Sequence, residues 1–225
     1  MLYRFLSSSA LKMIAVVSMT IDHIAYYIIN QQMGWGNTWF YEAMRCVGRL
    51  AFPIFAFLIV EGYKHTKHIG RYMLALLVTA IISEFPWQLL GNNDSHNVVF
   101  TLFLGLIAVF LVDHIHDARW LMIIETAAIS FLATVFNTDY SWHGICLIMV
   151  FYLFREHRGM TLLLGSPSLM EYGILGSTIG LTLPLMYSGR RGFITSKWMK
   201  YLFYIYYPLH LMIIWICMNM KFIIS

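Results

Sequence analysis

Charged side chains are scarce in this sequence, and their scarcity limits what the protein can be. Only 12% of the 225 residues are Asp, Glu, Lys or Arg, whereas soluble domains average about 25%. A water-soluble fold of this size would lack the polar side chains that it needs to cover its surface. Cysteine is also rare. Cys46, Cys146 and Cys217 are odd in number and scattered, which excludes a disulfide framework and a CxxC metal site.

Long hydrophobic runs take the place of the missing polar residues. Hydrophobic residues make up 60% of the chain, and they come in blocks about as long as the roughly 20 residues that a helix needs to cross a bilayer. The blocks lie near residues 11–30, 46–64, 70–90, 97–112, 119–136, 142–154, 172–187 and 199–219. We therefore predict an all-α integral membrane protein, a polytopic bundle of eight or nine transmembrane helices that forms a single domain over residues 1–225.

The basic residues indicate the orientation of this bundle. With the N-terminus in the cytoplasm, Lys64, Lys67 and Arg71 fall on the cytoplasmic side, as the positive-inside rule requires. Eight spans would place the basic residues that follow Gly189 outside, whereas a short crossing near residues 159–170 returns them to the cytoplasm. We therefore favour nine helices, with a re-entrant segment at 159–170 as the alternative. The net charge of +4 reflects this topology in a plasma membrane and not nucleic-acid binding.

Six ionisable residues fall inside the predicted spans, where such residues are expensive and usually face a cavity. At about 1.5 Å per residue, they come about 15 to 22 Å from the cytoplasmic ends of their helices. They are Asp22, His23, Arg49, Glu84, His143 and His210. A charge at mid-bilayer costs about 2.5 to 3.5 kcal/mol, more than the roughly 0.6 to 2 kcal/mol that an interhelical hydrogen bond contributes. This difference favours a shared functional cavity over purely structural pairing.

Within this layer, Asp22 and His23 are the most informative pair. Adjacent residues of a helix do not face each other, so Asp22 is not expected to orient the ring of His23. Arg49 has a long side chain and is the predicted partner of Asp22, which leaves His23 as a base or nucleophile. A membrane histidine is more often a hydrogen-bonded core residue, but the surrounding charges reverse that preference here.

One short run carries metal-ligand side chains. Asp113, His114, His116 and Asp117 form the run DHIHD in a predicted cytoplasmic turn. No spacing beyond the run itself supports the coordination of a metal site, so we predict no metal there.

Five stretches together resemble one known family. They are LKMIAVVSMTIDH at Leu11–His23, GRLAFPIFAFLIVEGYKHT at Gly48–Thr66, SEFPW at Ser83–Trp87, YSGRRG at Tyr187–Gly192 and KYLFYIYYPLHL at Lys200–Leu211. In this order they resemble the TraX family over nearly the full length of the chain. TraX proteins are associated with N-terminal acetylation of conjugative pilin. The first two stretches also resemble the opening helices of the wider transmembrane acyltransferase superfamily.

The resemblance implies a membrane-embedded acyltransferase, an N- or O-acetyltransferase that uses acetyl-CoA or another acyl-CoA as donor. In the wider superfamily, a histidine or a neighbouring polar residue around the end of the first helix serves acyl transfer, which implicates His23 and Asp22. The family pattern is also matched at Arg49, Glu84, His210 and Glu61. We add Arg49, Glu84 and His210 to the predicted catalytic set. The implied acceptor is an amine or hydroxyl of a pilin, peptide or glycan.

The chemistry of these residue types fits acyl transfer. A neutral imidazole with a pKa of about 6.5 takes a proton from an attacking amine or hydroxyl. Arg49 would stabilise the oxyanion of the tetrahedral intermediate in a site sheltered from water. Six basic residues are predicted to bind the phosphates of CoA, although topology alone explains them equally well. They are Lys64, Lys67, Arg71, Arg190, Arg191 and Lys197.

A proton- or ion-coupled transporter is the alternative, because buried carboxylates and histidines also form proton relays. Against it, the sequence shows no internal repeat and no paired helix breaks in matching halves. An intramembrane serine protease is disfavoured, because no GxSG-like elbow is present.

Overall fold

The computed structural model describes residues 4–114, 119–194 and 196–224, and helices make up its architecture. The α-helices are α1 (Ser8–His23), α2 (Trp39–Gly48), α3 (Ala51–His65), α4 (Ile69–Leu89), α5 (Val98–Asp113), α6 (Arg119–Val135), α7 (Ser141–Phe154), α8 (Arg158–Gly165), α9 (Gly173–Leu185) and α10 (Lys197–Ile224). A π-helix, Ile24–Gln32, continues α1, and a 3₁₀-helix, Pro167–Tyr172, links α8 to α9. Over the described ranges the helices are accompanied only by isolated β-bridges, so the all-α prediction is confirmed.

Several helices are long and apolar enough to cross a membrane. They are Ser8–Gln32, Trp39–His65, Ile69–Leu89 and Tyr201–Met220. The shorter apolar helices are Val98–Asp113, Trp120–Val135 and Ser141–Phe154. Large apolar side chains such as Ile81, Phe131 and Ile213 point outward from them. An apolar outer surface of this extent is covered by lipid and not by water, so the fold is that of a membrane protein.

The central helix is α3. It packs against α1, α5, α7 and α9, and nearly every residue from Ala51 to Glu61 is buried. α4 lies between α5 and α10, and α10 also packs against the π-helix that continues α1. This arrangement places the end of α1 beside the middle of α10.

The loop after α9 holds the start of α1. The backbone N–H groups of Ser8 and Ser9 donate to the carbonyls of Arg190 and Arg191 at 2.9 and 3.0 Å. Gly192 has a φ of +81°, and a side chain there would collide with the serines of this segment. Arg190 and Arg191 therefore lie at the N-terminal end of the bundle.

The region around 159–170 is not one continuous helix. α8 has eight residues, about 12 Å at about 1.5 Å per residue, which is less than half of a hydrocarbon core of roughly 30 Å. The 3₁₀-helix that follows departs from helical geometry at Leu169. α9 then returns to the N-terminal end, where Phe5 N donates to Met186 O at 3.0 Å. α8 and α9 thus form a unit that enters and leaves at the same end.

Candidate active site

The hydrogen-bonding pattern of the first helix changes at His23. α1 ends there, and the π-helix begins at Ile24. π-Helical turns are rare and occur frequently at functional sites. The ring of Tyr27 makes an edge-on contact with His23, with 5.9 Å between centroids. Tyr27 is buried, and its hydroxyl oxygen accepts a hydrogen bond from Nδ2 of Asn92 at 2.5 Å.

Two of the predicted site residues, His23 and His210, are in direct contact. Nδ1 of His23 lies 2.7 Å from Nε2 of His210, and the ring planes are only 3° apart. α1 begins at Ser8 and α10 at Lys197, both at the N-terminal end. At about 1.5 Å per residue, the two histidines lie about 22 and 20 Å from those helix starts. The two helices therefore present them at the same depth.

A backbone carbonyl fixes the tautomers of the two neutral rings. Nδ1 of His210 lies 3.0 Å from the carbonyl oxygen of Tyr206. A carbonyl only accepts, so this nitrogen carries a proton, and Nε2 of His210 is the acceptor. Nδ1 of His23 must then donate to it. Nε2 of His23 is left with its lone pair, which is the form that takes a proton from a substrate or attacks it.

Tyr206 holds both histidine-bearing helices. Oγ1 of Thr20 donates to Val16 O at 2.8 Å and lies 2.7 Å from the hydroxyl of Tyr206. Because Thr20 has only one hydroxyl proton, the phenol of Tyr206 donates to it. The ring of Tyr206 also lies parallel to that of His210, with 5.3 Å between centroids. One residue thus sets the tautomer of His210 and the spacing between α10 and α1.

The ion-pair partner of Asp22 is Arg45. Nη1 of Arg45 donates to Oδ2 of Asp22 at 2.6 Å, and its guanidinium lies over the ring of Tyr26 at 5.3 Å. The predicted partner, Arg49, lies one turn further along and adds its positive charge to the field at Asp22. The sequence prediction missed Arg45 because the second apolar block begins at residue 46, whereas α2 begins at Trp39.

Close packing of α2 on α1 leaves part of Asp22 unsatisfied. A Cβ at Gly48 would overlap the backbone and side chain of Asp22, so only glycine permits this approach. Oδ1 of Asp22 is buried and has no hydrogen-bond partner in the described part of the chain. Buried polar atoms without partners are uncommon and costly. In the part of the site that the structure describes, Oδ1 of Asp22 therefore has no donor, and the tautomer of His23 leaves Nε2 as an acceptor.

Glu84 belongs to a different cluster, at the start of α5. Nδ1 of His96 donates to Oε1 of Glu84 at 2.7 Å, and Nδ2 and N of Asn97 donate to Oε2 at 2.7 and 3.2 Å. Asn97 in turn caps α5 by accepting from Val99 N at 3.1 Å. These donors hold the carboxylate of Glu84 at the start of α5, and its place in the predicted catalytic set stays a prediction.

His143 is also outside the histidine pair. It lies in the first turn of α7 and stacks on Trp142, with 3.7 Å between centroids. α7 has only 14 residues. Counting from its C-terminal end places His143 at mid-membrane depth, but His143 lies at the N-terminal end of this short helix. Of the six residues in the predicted layer, the structure brings Asp22, His23 and His210 together, with Arg49 near them.

A second buried ion pair lies near the C-terminal end of α3. Glu61 is 4% exposed, and its carboxylate binds Nη1 of Arg155 and lies 3.5 Å from Nε2 of His65. Arg155 also contacts Glu156 at 3.0 Å, and a cavity of about 190 Å³ adjoins the pair. The ion pair joins α3 to the end of α7. The sequence indicates Arg155 only as a residue of a basic loop, and no local signal names its partner.

The predicted phosphate-binding residues separate into groups. Lys64 and Lys67 line a cleft of about 890 Å³ at the N-terminal end of the bundle. Three others are exposed elsewhere on the surface, and they are Arg71, Arg190 and Arg191. Lys197 begins α10, but its side chain is outside what the structure describes. The DHIHD run is likewise only partly described. Asp113 ends α5 and His114 follows it, whereas His116 and Asp117 lie outside the described residues.

Known proteins resemble this chain over nearly its whole length. The sequence model of a family described as TraX protein matches residues 7–218. A curated relative from Dichelobacter nodosus, named "Probable fimbrial assembly protein FimC, serogroup H1", is 26% identical over 236 residues, which cover 91% of this chain and 93% of the relative. No solved structure matches the chain. The region matched by the family includes both histidines of the pair.

Proposed function

This chain belongs to the TraX family, and we propose that it is a membrane-embedded acyltransferase that modifies a pilin. The family and the fimbrial assembly relative support a role in pilus assembly or pilin modification. The donor is acetyl-CoA or another acyl-CoA. The acceptor is an amine or hydroxyl of a pilin, and peptides and glycans are acceptors of the same chemical class.

The observation that carries this proposal is the histidine pair. The pair gives His23 a lone pair on Nε2 deep within the bundle, at the point where α1 becomes a π-helix. The ion pair of Asp22 and Arg45 lies directly beside it. A fixed imidazole next to buried charges is what a general base in a sheltered site requires.

The acyl transfer follows from these positions. Nε2 of His23 takes the proton of the acceptor while the acceptor's nitrogen or oxygen attacks the thioester carbonyl. The new C–N or C–O bond forms, the C–S bond breaks, and the proton leaves with the thiolate. His210 accepts from Nδ1 of His23 throughout, and this hydrogen bond strengthens when His23 becomes charged. Arg49 is our candidate for stabilising the oxyanion.

We expect a multi-pass protein of the plasma membrane with a cytoplasmic N-terminus, in which the α8–α9 unit enters and leaves on the cytoplasmic side. The support comes from the basic residues gathered at the N-terminal end. Arg4 pairs with Glu156 at 3.6 Å, and Arg190 and Arg191 hold the start of α1 through their carbonyls. Lysine and arginine accumulate on the cytoplasmic side of membrane proteins. Acyl-CoA would then reach the bundle from the cytoplasm.

The test is acyl transfer by purified protein in lipid nanodiscs. Acetyl-CoA labelled in its acetyl group is offered with a pilin, its N-terminal peptide or a glycan, and label on the acceptor is measured together with released CoA. We expect His23→Ala to lower the rate by about 10²- to 10⁴-fold. His143→Ala is the matched control, because His143 also lies in an apolar helix but outside the pair, and it should retain the rate.

Two results would contradict the proposal. One is the absence of label on every acceptor class together with no binding of acetyl-CoA. The other is a His23→Ala variant that transfers label at the wild-type rate. Substrate flux driven by a pH gradient, with no CoA released, would instead support a proton-coupled transporter built on the same histidine pair.

A further inference from the structure

A large cleft opens at the N-terminal end of the bundle, away from the histidine pair. It lies where α3, α5 and α7 end and where α4 and α6 begin, and its volume is about 890 Å³. Small-molecule sites typically have volumes of about 300 to 1,000 Å³. The cavity beside Glu61 measures only about 190 Å³. The cleft is therefore the one of the two that has room for a ligand of nucleotide size.

The charges that line this cleft favour an anion. Lys64, Lys67 and His114 lie in its wall, and Asp113 is the one carboxylate among the described residues that line it. Asp113 is already engaged, because Tyr63 donates to its Oδ2 at 2.6 Å and Tyr152 donates to its Oδ1. The two lysines outnumber this one carboxylate, so the described part of the lining has a net positive charge. A cleft with this balance concentrates anionic ligands.

Aromatic rings supply the rest of the wall. The rings of Tyr63 and Tyr152 meet edge to face, with 6.3 Å between centroids, and Asp113 bridges their hydroxyls. Phe110 and His114 lie 4.2 Å apart on the neighbouring helix end. The ammonium of Lys64 lies 5.6 Å from the centre of the Tyr152 ring. Flat heterocyclic bases stack on such rings, and ammonium groups bind phosphate.

We propose that this cleft binds a phosphate-bearing nucleotide, with Lys64 and Lys67 on the phosphates and the Tyr63–Tyr152 pair against the base. The identity of the ligand rests on the proposed function, in which the acyl donor ends in adenosine 3′,5′-bisphosphate. The pantetheine arm of such a donor separates this end from the thioester, so the two ends occupy different parts of the bundle. Arg190 and Arg191 are then outside the donor site, although they are basic and lie at the same end.

The test uses calorimetry to measure how tightly adenosine 3′,5′-bisphosphate binds to the full-length protein in nanodiscs of uncharged lipid. The double variant Lys64→Gln/Lys67→Gln should bind at least about tenfold more weakly. The matched control, Arg4→Gln/Arg158→Gln, removes the same charge from the same end at residues that do not line the cleft, and it should bind close to wild type. Equal weakening in both variants would overturn the proposal, and so would a wild-type protein that does not bind.

Removing the negative charge of the cleft, instead of its positive charges, gives a second test. Asp113→Asn removes the negative charge, while its amide oxygen accepts from one tyrosine and its Nδ2 donates to the hydroxyl oxygen of the other. The bisphosphate should therefore bind as tightly as to wild type or more tightly. A purely structural cluster would lose affinity with every substitution. The melting temperature of each variant is measured alongside, to show that it is folded. Weaker binding by folded Asp113→Asn would overturn the proposal.

The outcomes separate this proposal from acyl transfer and from lipid binding. Bisphosphate binding that depends on the lysines, without acyl transfer to any acceptor, would support the cleft and contradict the acyltransferase. Acyl transfer with a KM for acyl-CoA that is unchanged in Lys64→Gln/Lys67→Gln would support the acyltransferase and contradict the cleft proposal. Displacement by nanodiscs of anionic lipid, with inorganic phosphate bound as tightly as the bisphosphate, would mean a headgroup site and would overturn the nucleotide proposal.

Discussion

Glu84 and Asp22 are both carboxylates in apolar helices, but their oxygens differ in the hydrogen bonds that they accept. Both oxygens of Glu84 accept hydrogen bonds, from His96 and from Asn97. Only Oδ2 of Asp22 does so, from Arg45, while its buried Oδ1 has no partner in the residues that the structure describes. The histidines beside them differ as well. Nδ1 of His96 donates to a carboxylate, whereas Nδ1 of His23 donates to another histidine, His210.

A carboxylate whose two oxygens both accept hydrogen bonds supports the fold and offers neither oxygen to a substrate. Glu84 is of this kind, because it anchors the cap of α5. An incomplete cluster lowers stability, so a chain that keeps one has a use for the open positions. We therefore expect substitutions at Glu84 to change stability, and substitutions around His23 to change activity.

The largest effect on stability is expected for Glu84→Ala. It removes the acceptor of three hydrogen bonds at the start of α5, and two of these come from buried Asn97, which keeps its bond to Ala80 O. The loss should cost about 2 to 3 kcal/mol of unfolding free energy. For a chain of this length the melting temperature would fall by roughly 4 to 12 °C. Thermal unfolding in detergent checks this, with Glu156→Ala as the exposed control. If folded Glu84→Ala lost acyl transfer without a change in stability, Glu84 would have a functional role like that of His23, which would contradict the difference between the two clusters.

Gly48→Ala should act on the other cluster. The added methyl meets Asp22, so α2 must move away from α1, at a cost of about 1 to 3 kcal/mol. The Asp22–Arg45 contact loosens, and acyl transfer falls with it. Gly70→Ala is the control, since a Cβ there meets nothing within 4 Å and alanine favours a helix. Equal stability and activity in the two variants would show that the close approach is unimportant.

His210 should be a positioning residue for His23. His210→Leu removes the acceptor of Nδ1 and frees the tautomer of His23, so kcat should fall about 10- to 100-fold with a changed pH profile. His210→Gln offers an amide oxygen in its place and should restore most of the rate. Equal losses in both variants would show that His210 only fills space.

The smallest effect is expected from the exposed ion pairs at the N-terminal end. A hydrogen bond from Arg155 lowers the pKa of Glu156 below 4.5. This contribution to stability is therefore present above about pH 4.5 and is lost as the pH falls through the lowered pKa. Because the side chain is 64% exposed, we expect less than about 0.5 kcal/mol. Unfolding measured between pH 6 and 3 in wild type and Glu156→Gln checks this, and a larger difference would mean that the pair is shielded from solvent.

The sequence predicts the helices well, because hydropathy and length decide them. It also predicts that Asp22, His23 and His210 meet, since counting along each helix gives their depths. It does not predict the partners. The pairing of Asp22 with Arg45 depends on where α2 begins. The contacts of Glu84 depend on how the α4–α5 loop folds back, which no periodicity in the sequence indicates.

The change at His23 from α- to π-helix also has no sequence signal, because Ile24–Gln32 contains no proline or glycine and continues the apolar run of α1 up to Ile29. The break between α8 and α9 is similar. Its apolar residues favour a crossing, but Leu169 leaves helical geometry. Contacts of Met186 and the loop after it with Phe5–Ser9 show that α9 returns to the N-terminal end. Long-range contacts of this kind decide topology, and a single sequence does not contain them.

The most direct measurement is nitrogen NMR of the protein labelled with ¹⁵N-histidine, at neutral pH in nanodiscs. Signals of His23 are assigned by their loss in His23→Gln. Our account predicts that Nδ1 of His23 carries a proton shared with His210 and that Nε2 shows the chemical shift of a bare lone pair. A protonated Nε2 on His23, with an unprotonated Nδ1, would contradict it.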